Sequence, residues 1–350
     1  MKTIRDINLK NKTVLVRVDY NVPLKDGAIT DDLRIRASLP TLEFLRKKGA
    51  NKIILISHLG RPEGKDKSLS LQPVAKSLNK LIPNVTFIDD VSGPDVESAV
   101  EKLKNGAILL LENLRFYPGE EANSDDFIRE IIDSTGADVY VQDGFAVIHR
   151  AHASTDAVKN HLPVYAGLLL EKEIQNLNSA IQNPKSPVLL IIGGAKVEDK
   201  QPLIEKFTNI ADQIVVGGKI AADGYQAKHH KIYVAEDFDE NAEGQKLDVG
   251  PISTAKIANF ITDAQTIIWN GLLGYAEDPT YATASTITAE LIGENDHATT
   301  IICGGDTTGF VETLMRDHPN LHYSLVSTGG GAALEFLLGK PLSGIEALQK

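Results

Sequence analysis

The sequence has little of several features that would narrow its class. It contains a single cysteine, Cys303, in 350 residues, which excludes an intrachain disulfide and any cysteine–histidine spacing typical of a zinc site. It has no unbroken apolar run of about 18 residues, the length that a membrane-spanning helix requires. Its first residues lack the apolar segment of a secretory signal. We therefore predict a cytoplasmic protein.

A surplus of positive charge is also missing. The formal net charge is -11, whereas general nucleic-acid binders and proteins of acidic membrane surfaces usually carry basic patches. We therefore expect neither nucleic acid nor membrane as a partner. Residues 1–167 contain equal numbers of acidic and basic residues, so the excess negative charge lies in the second half. Arg316 is the only arginine after residue 167. Arginine, the side chain best suited to bind phosphate or carboxylate through two hydrogen bonds, is therefore concentrated in the first half.

Strand and helix patterns alternate through both halves of the chain. This alternation predicts an α/β fold made of two doubly wound parallel-sheet, Rossmann-like domains, and the length suits two domains. We place the first domain at residues 1–167 and the second at 186–337. Residues 168–185 are apolar at helical spacing and are interpreted as an interdomain helix, with one more surface helix as the alternative.

Polar and cationic side chains follow successive strands of the first half. Ligands of parallel sheets bind beyond the carboxyl ends of the strands, so these side chains are expected to share one site. They are Asp19, Asn21, His58, Arg61, Arg115 and Arg150. Three arginines at three strand ends suit a small, multiply charged anion. Taken alone, His58 could be a structural histidine, and Asp19 or Asn21 could be turn residues.

Glycines follow the strands of the second half. After Gly193-Gly194, Lys196 and Lys200 share one face of the next helix, which indicates an anion site; an ordinary strand-to-helix turn with two exposed lysines is the alternative. Further glycines follow later strands, and Asp306 beside Gly304-Gly305 could hold magnesium. The sequence has neither the Walker pattern nor, after its first strand, a dinucleotide fingerprint.

Eight stretches give the sequence a resemblance to the phosphoglycerate kinase family. They are VRVDYNVP at 16–23, SHLGRP at 57–62, LENLRF at 111–116, HRAH at 149–152, GGAKVEDK at 193–200, WNG at 269–271, GGD at 304–306 and STGGGA at 327–332. The resemblance implies a glycolytic enzyme with its active site in the interdomain cleft. The implied reaction is reversible Mg²⁺-dependent phosphoryl transfer between 1,3-bisphosphoglycerate and ADP, giving 3-phosphoglycerate and ATP. It further implies in-line transfer on hinge closure and a C-terminal segment, 338–350, that returns to the first domain. We expect a monomer.

The resemblance also implies roles for individual residues. Phosphoglycerate would be bound by Asp19, Asn21, Arg34, His58, Arg61, Arg115 and Arg150. The adenine nucleotide would be bound by Gly193, Ala195, Lys200, Gly217, Gly218, Asn270, Glu277, Gly304, Gly305, Asp306 and Thr307. Gly329 and Gly330 would contact the phosphate in the transition state, Asp306 would hold Mg²⁺, and Arg34, Lys196 and Lys200 would be catalytic. No general base is expected, since the acceptor carboxylate is already ionised at neutral pH.

Two other functions are alternatives to an active phosphoglycerate kinase. The segment between Gly218 and Asp248 is much shorter than is usual in the family, where it helps to wall the adenine pocket. A catalytically impaired or altered-nucleotide family member, acting as a binding or scaffold protein, is therefore the alternative function. A nicotinamide oxidoreductase is disfavoured because its fingerprint is absent.

Overall fold

The computed structural model describes residues 1–348 and divides into two compact units. Unit 1 comprises Met1–Lys172 together with Pro341–Lys350, and unit 2 comprises Glu173–Lys340. The last two residues of the predicted returning segment, 349 and 350, lie outside the described residues. The unit division falls inside the helix Leu168–Gln182, whereas the sequence pattern predicts a separate connecting helix at residues 168–185. The three-part division of the chain stays a prediction.

Unit 1 is built on a six-stranded sheet in the order β5-β6-β4-β1-β7-β8, with every pair parallel. Two short strands, β2 and β3, pair antiparallel outside it. The strands are β1 (Thr13–Arg17), β2 (Leu24–Lys25), β3 (Ala28–Ile29), β4 (Lys52–Ile56), β5 (Val85–Phe87), β6 (Ala107–Leu110), β7 (Val139–Gln142) and β8 (Val164–Ala166).

Five helices lie between these parallel strands, and a sixth follows the last strand, β8. The five are α1 (Leu33–Lys47), α2 (Gln72–Leu81), α3 (Pro94–Lys102), α4 (Pro118–Glu121) and α5 (Asp125–Thr135), and the sixth is α6 (Leu168–Gln182). Local signals fix their ends. At α5, Ser124 Oγ accepts a hydrogen bond from the Phe127 amide, and Gly136 ends the helix in the left-handed conformation. These are the expected N-cap and C-cap chemistries.

Unit 2 repeats the architecture with the strand order β11-β10-β9-β14-β15-β16, again entirely parallel. A separate antiparallel hairpin is formed by β12 and β13. The strands are β9 (Val188–Ile192), β10 (Gln213–Val216), β11 (Ile232–Val234), β12 (Phe238–Glu240), β13 (Lys246–Val249), β14 (Thr266–Asn270), β15 (Thr299–Cys303) and β16 (Leu325–Val326). The helices after α6 are α7 (Val197–Phe207), α8 (Gly218–Ala222), α9 (Pro251–Asp263), α10 (Thr283–Glu294), α11 (Gly305–Asp317), α12 (Gly330–Leu337) and α13 (Ser343–Glu346), of which α13 belongs to unit 1.

Buried apolar strands explain why both sheets form. All five residues of β1 and all five of β9 are buried, as expected for parallel strands covered by helices on both faces. The predicted α/β class with two doubly wound parallel sheets is therefore confirmed. None of the helices in residues 1–348 combines the length and apolar character that crossing a bilayer needs.

Candidate active site

The loops that follow β1, β4, β6 and β7 gather cationic side chains in unit 1. Strand β1 lies between β4 and β7, so the chain leaves β1 first to one side of the sheet and later returns to the other. Crevices at such reversals of strand order are where ligands of parallel sheets bind. The sequence-predicted residues of the first half lie on these loops and on the start of α1.

His58 lies at the centre of this cluster. It is 3% exposed, and the Arg17 guanidinium lies 3.2 Å from its Nδ1. Because arginine can only donate, Nδ1 must accept and the ring is neutral with its proton on Nε2. Burial first, and then the charges of Arg17, Arg115, Arg150 and Arg34, lower the pKa of His58 well below 6.5. Four guanidinium groups therefore act electrostatically on one buried imidazole.

Asp19 and Asn21 organise the loop after β1. Asp19 is buried, and its Oδ2 accepts a hydrogen bond from Arg34 Nη1 in an ion pair. Its Oδ1 lies 3.8 Å from His58 Nδ1, too far for a hydrogen bond. Asn21 Oδ1 accepts from the Gly60 amide at 2.9 Å, which joins this loop to the one after β4. The structure thus brings four of the predicted residues, including Arg34 from α1, into one connected group.

The other three predicted arginines differ in their surroundings. Arg115 is 7% exposed; its Nη1 donates to Gly60 O at 2.6 Å, and its Nε forms an ion pair with Glu121 at 3.0 Å. Arg150 is partly buried and close enough to lower the pKa values of both Arg115 and His58. Arg61 is exposed, and no hydrogen bond or ion pair of its side chain is found within residues 1–348. Arg115 and Arg150 are therefore close enough for their charges to act on His58, whereas no described contact ties Arg61 to them.

Arg17 is a member of the cluster that sequence reasoning did not select. It is 1% exposed, and its Nε donates to Ser154 Oγ at 2.9 Å. Ser154 Oγ in turn donates to the buried Glu120 carboxylate at 2.6 Å. A buried guanidinium is tolerated only when it is paired and hydrogen-bonded. The sequence feature that could have identified Arg17 is an arginine at the end of a mostly apolar strand.

Unit 2 places Lys200 against Asn270 at the corresponding reversal of strand order. Strand β9 lies between β10 and β14; α7 follows β9, and Asn270 ends β14. Lys200 Nζ donates to Asn270 Oδ1, and Asn270 is 1% exposed. Burial lowers the pKa of Lys200, while the nearby Cys303, Asp199 and Asp306 act in the opposite direction. A partly desolvated cation therefore lies among the loops after β9, β14 and β15.

Several predicted nucleotide-binding glycines are needed for the packing of these loops. A Cβ added to Gly193 would lie 2.2 Å from Leu272 O, and one added to Gly218 would lie 2.6 Å from the same oxygen. A Cβ added to Gly217 would lie 2.6 Å from Cδ2 of Leu273. Gly271, at φ +104, would place a Cβ 2.2 Å from Gly193 O. Close approach of one loop to another therefore accounts for these four glycines without a ligand.

The glycines at the starts of α11 and α12 are different. A Cβ at Gly305 would meet nothing within 4 Å, and one at Gly330 would lie 3.2 Å from the Gly305 amide nitrogen. The first residues of two helices therefore adjoin, and helix N-termini favour anions. Gly304, at φ +95, precedes α11, and Gly329 precedes α12.

The side chains near these helix starts have defined partners. Thr307 is fully buried, and its Oγ1 accepts from the Gly271 amide at 2.8 Å. Glu173, a buried residue of α6 that sequence reasoning missed, accepts from Thr328 N at 2.7 Å and thereby holds the loop before α12. Asp306 is exposed in the first turn of α11.

The remaining predicted residues lie on exposed loops. Ala195 and Lys196 are exposed, with Lys196 at the N-cap of α7. Glu277 is exposed and accepts a hydrogen bond from Tyr275 OH at 2.6 Å. Within residues 1–348 no group of three or more His, Cys, Asp or Glu side chains could hold a metal ion. Asp306 is therefore not part of such a group.

Cationic loops at the end of one doubly wound sheet, and glycine-rich loops with Lys200 at the end of the other, are typical of an enzyme that handles phosphorylated substrates. Comparison with known proteins places it in a family. The family model described as phosphoglycerate kinase matches residues 4–243 and 223–340. The chain belongs to the phosphoglycerate kinase family.

Full-length relatives agree with this assignment. The phosphoglycerate kinase of Dictyoglomus turgidum is 40% identical over 392 residues, covering 99% of this chain and 98% of the relative. That of Moorella thermoacetica is 41% identical over 393 residues, with the same coverage. The chain is therefore a phosphotransferase with a carboxyl group as acceptor, which interconverts 1,3-bisphosphoglycerate and ADP with 3-phosphoglycerate and ATP in glycolysis. The comparisons give no support to the scaffold alternative.

Solved structures show the same fold. The phosphoglycerate kinase structure from Coxiella burnetii has a TM-score of 0.81 at 32% identity, covering 99% of this chain and 98% of that one. The structure from Pyrococcus horikoshii OT3 has a TM-score of 0.88 at 27% identity, covering 100% and 98%. The two family-model matches overlap across residues 223–243. A break of this kind is expected where the segment after Gly218 is shortened.

His58 is expected to stay neutral well below pH 6.5 in the ligand-free enzyme, because burial disfavours the charged ring and protonation would add a charge near four arginines. The unfolded chain would bind that proton. The His58 contribution to stability is therefore present above about pH 6.5 and is lost as pH falls toward the lower folded pKa. NMR of the imidazole ring, assigned by loss of its signals in His58→Gln, measures this titration. A midpoint near the ordinary value would contradict the described surroundings.

Gly193→Ala is expected to destabilise unit 2 by about 2–5 kcal/mol, because its Cβ would overlap backbone atoms of the loop after β14. Gly309→Ala is the matched control, since a Cβ there meets nothing within 4 Å. In the interior of α11 this control should stabilise by about 0.5–1 kcal/mol. Urea unfolding followed by the single tryptophan, the buried Trp269 of unit 2, reports both changes. Equal stabilities of the two variants would show that the packing argument is wrong.

Proposed function

We propose that unit 1 binds the phosphoglycerate through the arginine cluster around His58 and that unit 2 binds the nucleotide on its loops after β9, β14, β15 and β16. The observation that carries the first assignment is the convergence of four guanidinium groups on one neutral, buried imidazole. Several positive charges surround a histidine that is only 3% exposed. This arrangement suits a ligand with several negative charges. A phosphoglycerate carries both a phosphate and a carboxylate.

Arg34 is proposed as the catalytic arginine of unit 1. Its side chain is 31% exposed, more than those of Asp19 and Arg115 at 4% each. It therefore has the freedom to exchange its Asp19 ion pair for a substrate phosphate. Asn21 and Arg61 are proposed to complete the binding of the phosphoglycerate from the loops after β1 and β4.

Lys200 is proposed as the catalytic cation of unit 2, with Lys196 as a second one at the start of the same helix. A partly desolvated ammonium stabilises phosphoryl oxygens more strongly than an exposed one. Gly304, Gly305 and Thr307 at the start of α11 would bind the nucleotide phosphates, and Gly329 and Gly330 would meet the transferring phosphate. The adjoining starts of the two helices support this assignment.

The nucleoside is proposed to lie near the loop after β14. Gly193, Ala195, Gly217 and Gly218 would border it through their backbone, and Glu277 would bind the ribose in place of its present Tyr275 hydroxyl donor. Adenine is the proposed base. The shortened segment leaves less protein to wall the base than the relatives have.

Asp306 is proposed to hold Mg²⁺ together with nucleotide phosphate oxygens. Its carboxylate is exposed at the first turn of α11, where phosphates are proposed to bind, and magnesium in phosphate sites commonly takes one or two carboxylates plus phosphate oxygens. When bound, the ion would neutralise charge on those oxygens.

The reaction itself needs positioning and charge more than acid–base chemistry. The acceptor carboxylate is ionised at neutral pH, so no residue must remove a proton from it. Phosphoryl transfer is accelerated chiefly by in-line alignment and by cations on the transferring oxygens. Because the two substrates are assigned to different units, in-line transfer requires the hinge closure expected from the sequence. We also propose a cytoplasmic monomer; within residues 1–348 only Met1, Ile252 and Tyr275 are large apolar side chains classed as exposed.

Arg34→Ala and Lys200→Ala should each lower kcat for ATP-dependent phosphorylation of 3-phosphoglycerate by at least about 10²-fold. Cations in comparable roles are worth roughly 10³ to 10⁵. Arg36→Ala is the control for α1, since Arg36 is exposed and paired only with Asp32 at 2.9 Å among the described contacts. Lys206→Ala, at the end of α7, is the control for Lys200. Both controls should keep kcat within about twofold of the wild-type value. If a site variant retained full turnover, the catalytic role of that residue would be rejected.

Asp306→Asn should raise the Mg²⁺ concentration for half-maximal turnover by roughly tenfold or more, because it removes a charged ligand. Asp317→Asn, at the exposed end of the same helix, is the matched control and should leave the Mg²⁺ dependence unchanged. Steady-state rates across a magnesium titration at saturating ATP measure both. An unaltered magnesium dependence in Asp306→Asn would exclude this residue as a ligand.

A further inference from the structure

Cys303 contacts the side chain that holds Lys200. It ends β15, is fully buried, and is the register partner of Asn270 across the parallel pair of β14 and β15. Asn270 Nδ2 lies 3.3 Å from Cys303 Sγ, within hydrogen-bond distance for sulfur. Cys303 Sγ lies 3.6 Å from Trp269 O. The thiol therefore has one amide group and one carbonyl group as polar neighbours.

The directions of these hydrogen bonds follow from the inventory of donors and acceptors. An ammonium group can only donate, so Lys200 requires the oxygen of the Asn270 amide. The amide nitrogen must then point toward Cys303, whose sulfur accepts while its S–H points to the Trp269 carbonyl. Rotating the Asn270 amide by about 180° would place its nitrogen next to the Lys200 ammonium, so that two donors would face each other. The sulfur therefore favours the one amide orientation that Lys200 can use.

We propose that Cys303 is a positioning residue for phosphoryl transfer, which acts by holding the Asn270 amide with its oxygen toward Lys200. This inference rests on the catalytic role proposed for Lys200. It gives the single cysteine of the chain a polar role in addition to filling space in the core. Burial raises the pKa of the thiol to about 11, so the S–H group remains available as a donor at neutral pH.

A space-filling role and an orienting role for Cys303 make different predictions. A side chain that only fills space could be replaced by Val or Ala, one somewhat larger and one somewhat smaller than Cys, neither of which has an acceptor. A residue that orients the amide needs an acceptor at that position, which Ser supplies and Val does not. Loss of one weak buried hydrogen bond corresponds to a change of about three- to tenfold in a rate that depends on it.

The test measures kcat, KM for ATP and KM for 3-phosphoglycerate in the full-length enzyme. Cys303→Val and Cys303→Ala should lower kcat about three- to tenfold with KM for 3-phosphoglycerate unchanged, and Cys303→Ser should keep kcat within about twofold of the wild-type value. In an Asn270→Ala background, Cys303→Val should cause no further loss of kcat, because the group through which it acts is gone. The Ala and Ser variants keep the comparison available if the Val variant folds poorly, and urea unfolding checks each protein.

Two results would overturn the inference. One is unchanged kcat in Cys303→Val or Cys303→Ala, and the other is the same loss of kcat with and without the Asn270 amide. Lys200→Ala separates this failure from failure of the proposed function. If Lys200→Ala abolishes turnover while Cys303→Val does not alter it, only the role of Cys303 is rejected. If Lys200→Ala leaves turnover intact, the proposed role of Lys200 is rejected as well.

Discussion

Repulsion between clustered guanidinium groups is the constraint on which unit 1 depends. Arg17, Arg34, Arg115 and Arg150 all act on the ring of His58, and like charges at such proximity oppose folding unless other groups compensate. Buried carboxylates and backbone carbonyls provide part of that compensation, and a neutral imidazole avoids a further charge. The remaining positive potential is what a phosphoglycerate would neutralise. Binding and stability are therefore linked through the same side chains.

Unit 2 supplies positive potential mainly through its backbone. Two helices begin beside each other at Gly305 and Gly330, so their amide groups and dipoles supply positive potential without many charged side chains. Lys200 adds one formal charge, and its position depends on Asn270. Glycines such as Gly193 allow the supporting loops to pack at backbone distance. The two units thus supply positive potential by different physical means on the same type of sheet.

The two sheets and the edge at which ligands bind could be predicted from sequence. The strands are nearly continuous apolar runs, and ligands of parallel sheets bind beyond the carboxyl ends of the strands. The positions of Asp19 and His58 directly after neighbouring strands are enough to predict that they share one cluster. The same reasoning could not assign Arg17, because the sequence does not show that a strand residue is buried against a distant serine. Nor could it separate the packed Gly193 from the open Gly305, since that difference depends on which loops approach each other.

Hydrogen–deuterium exchange with each substrate alone tests the division of binding between the units most directly. The account predicts that 3-phosphoglycerate slows amide exchange in residues 19–22, 58–61, 113–117 and 145–150. Magnesium ADP should instead slow exchange in residues 194–200, 270–277, 304–308 and 329–331. The account would be contradicted if 3-phosphoglycerate left the loops of unit 1 unprotected, or if ADP protected them while leaving those of unit 2 unchanged.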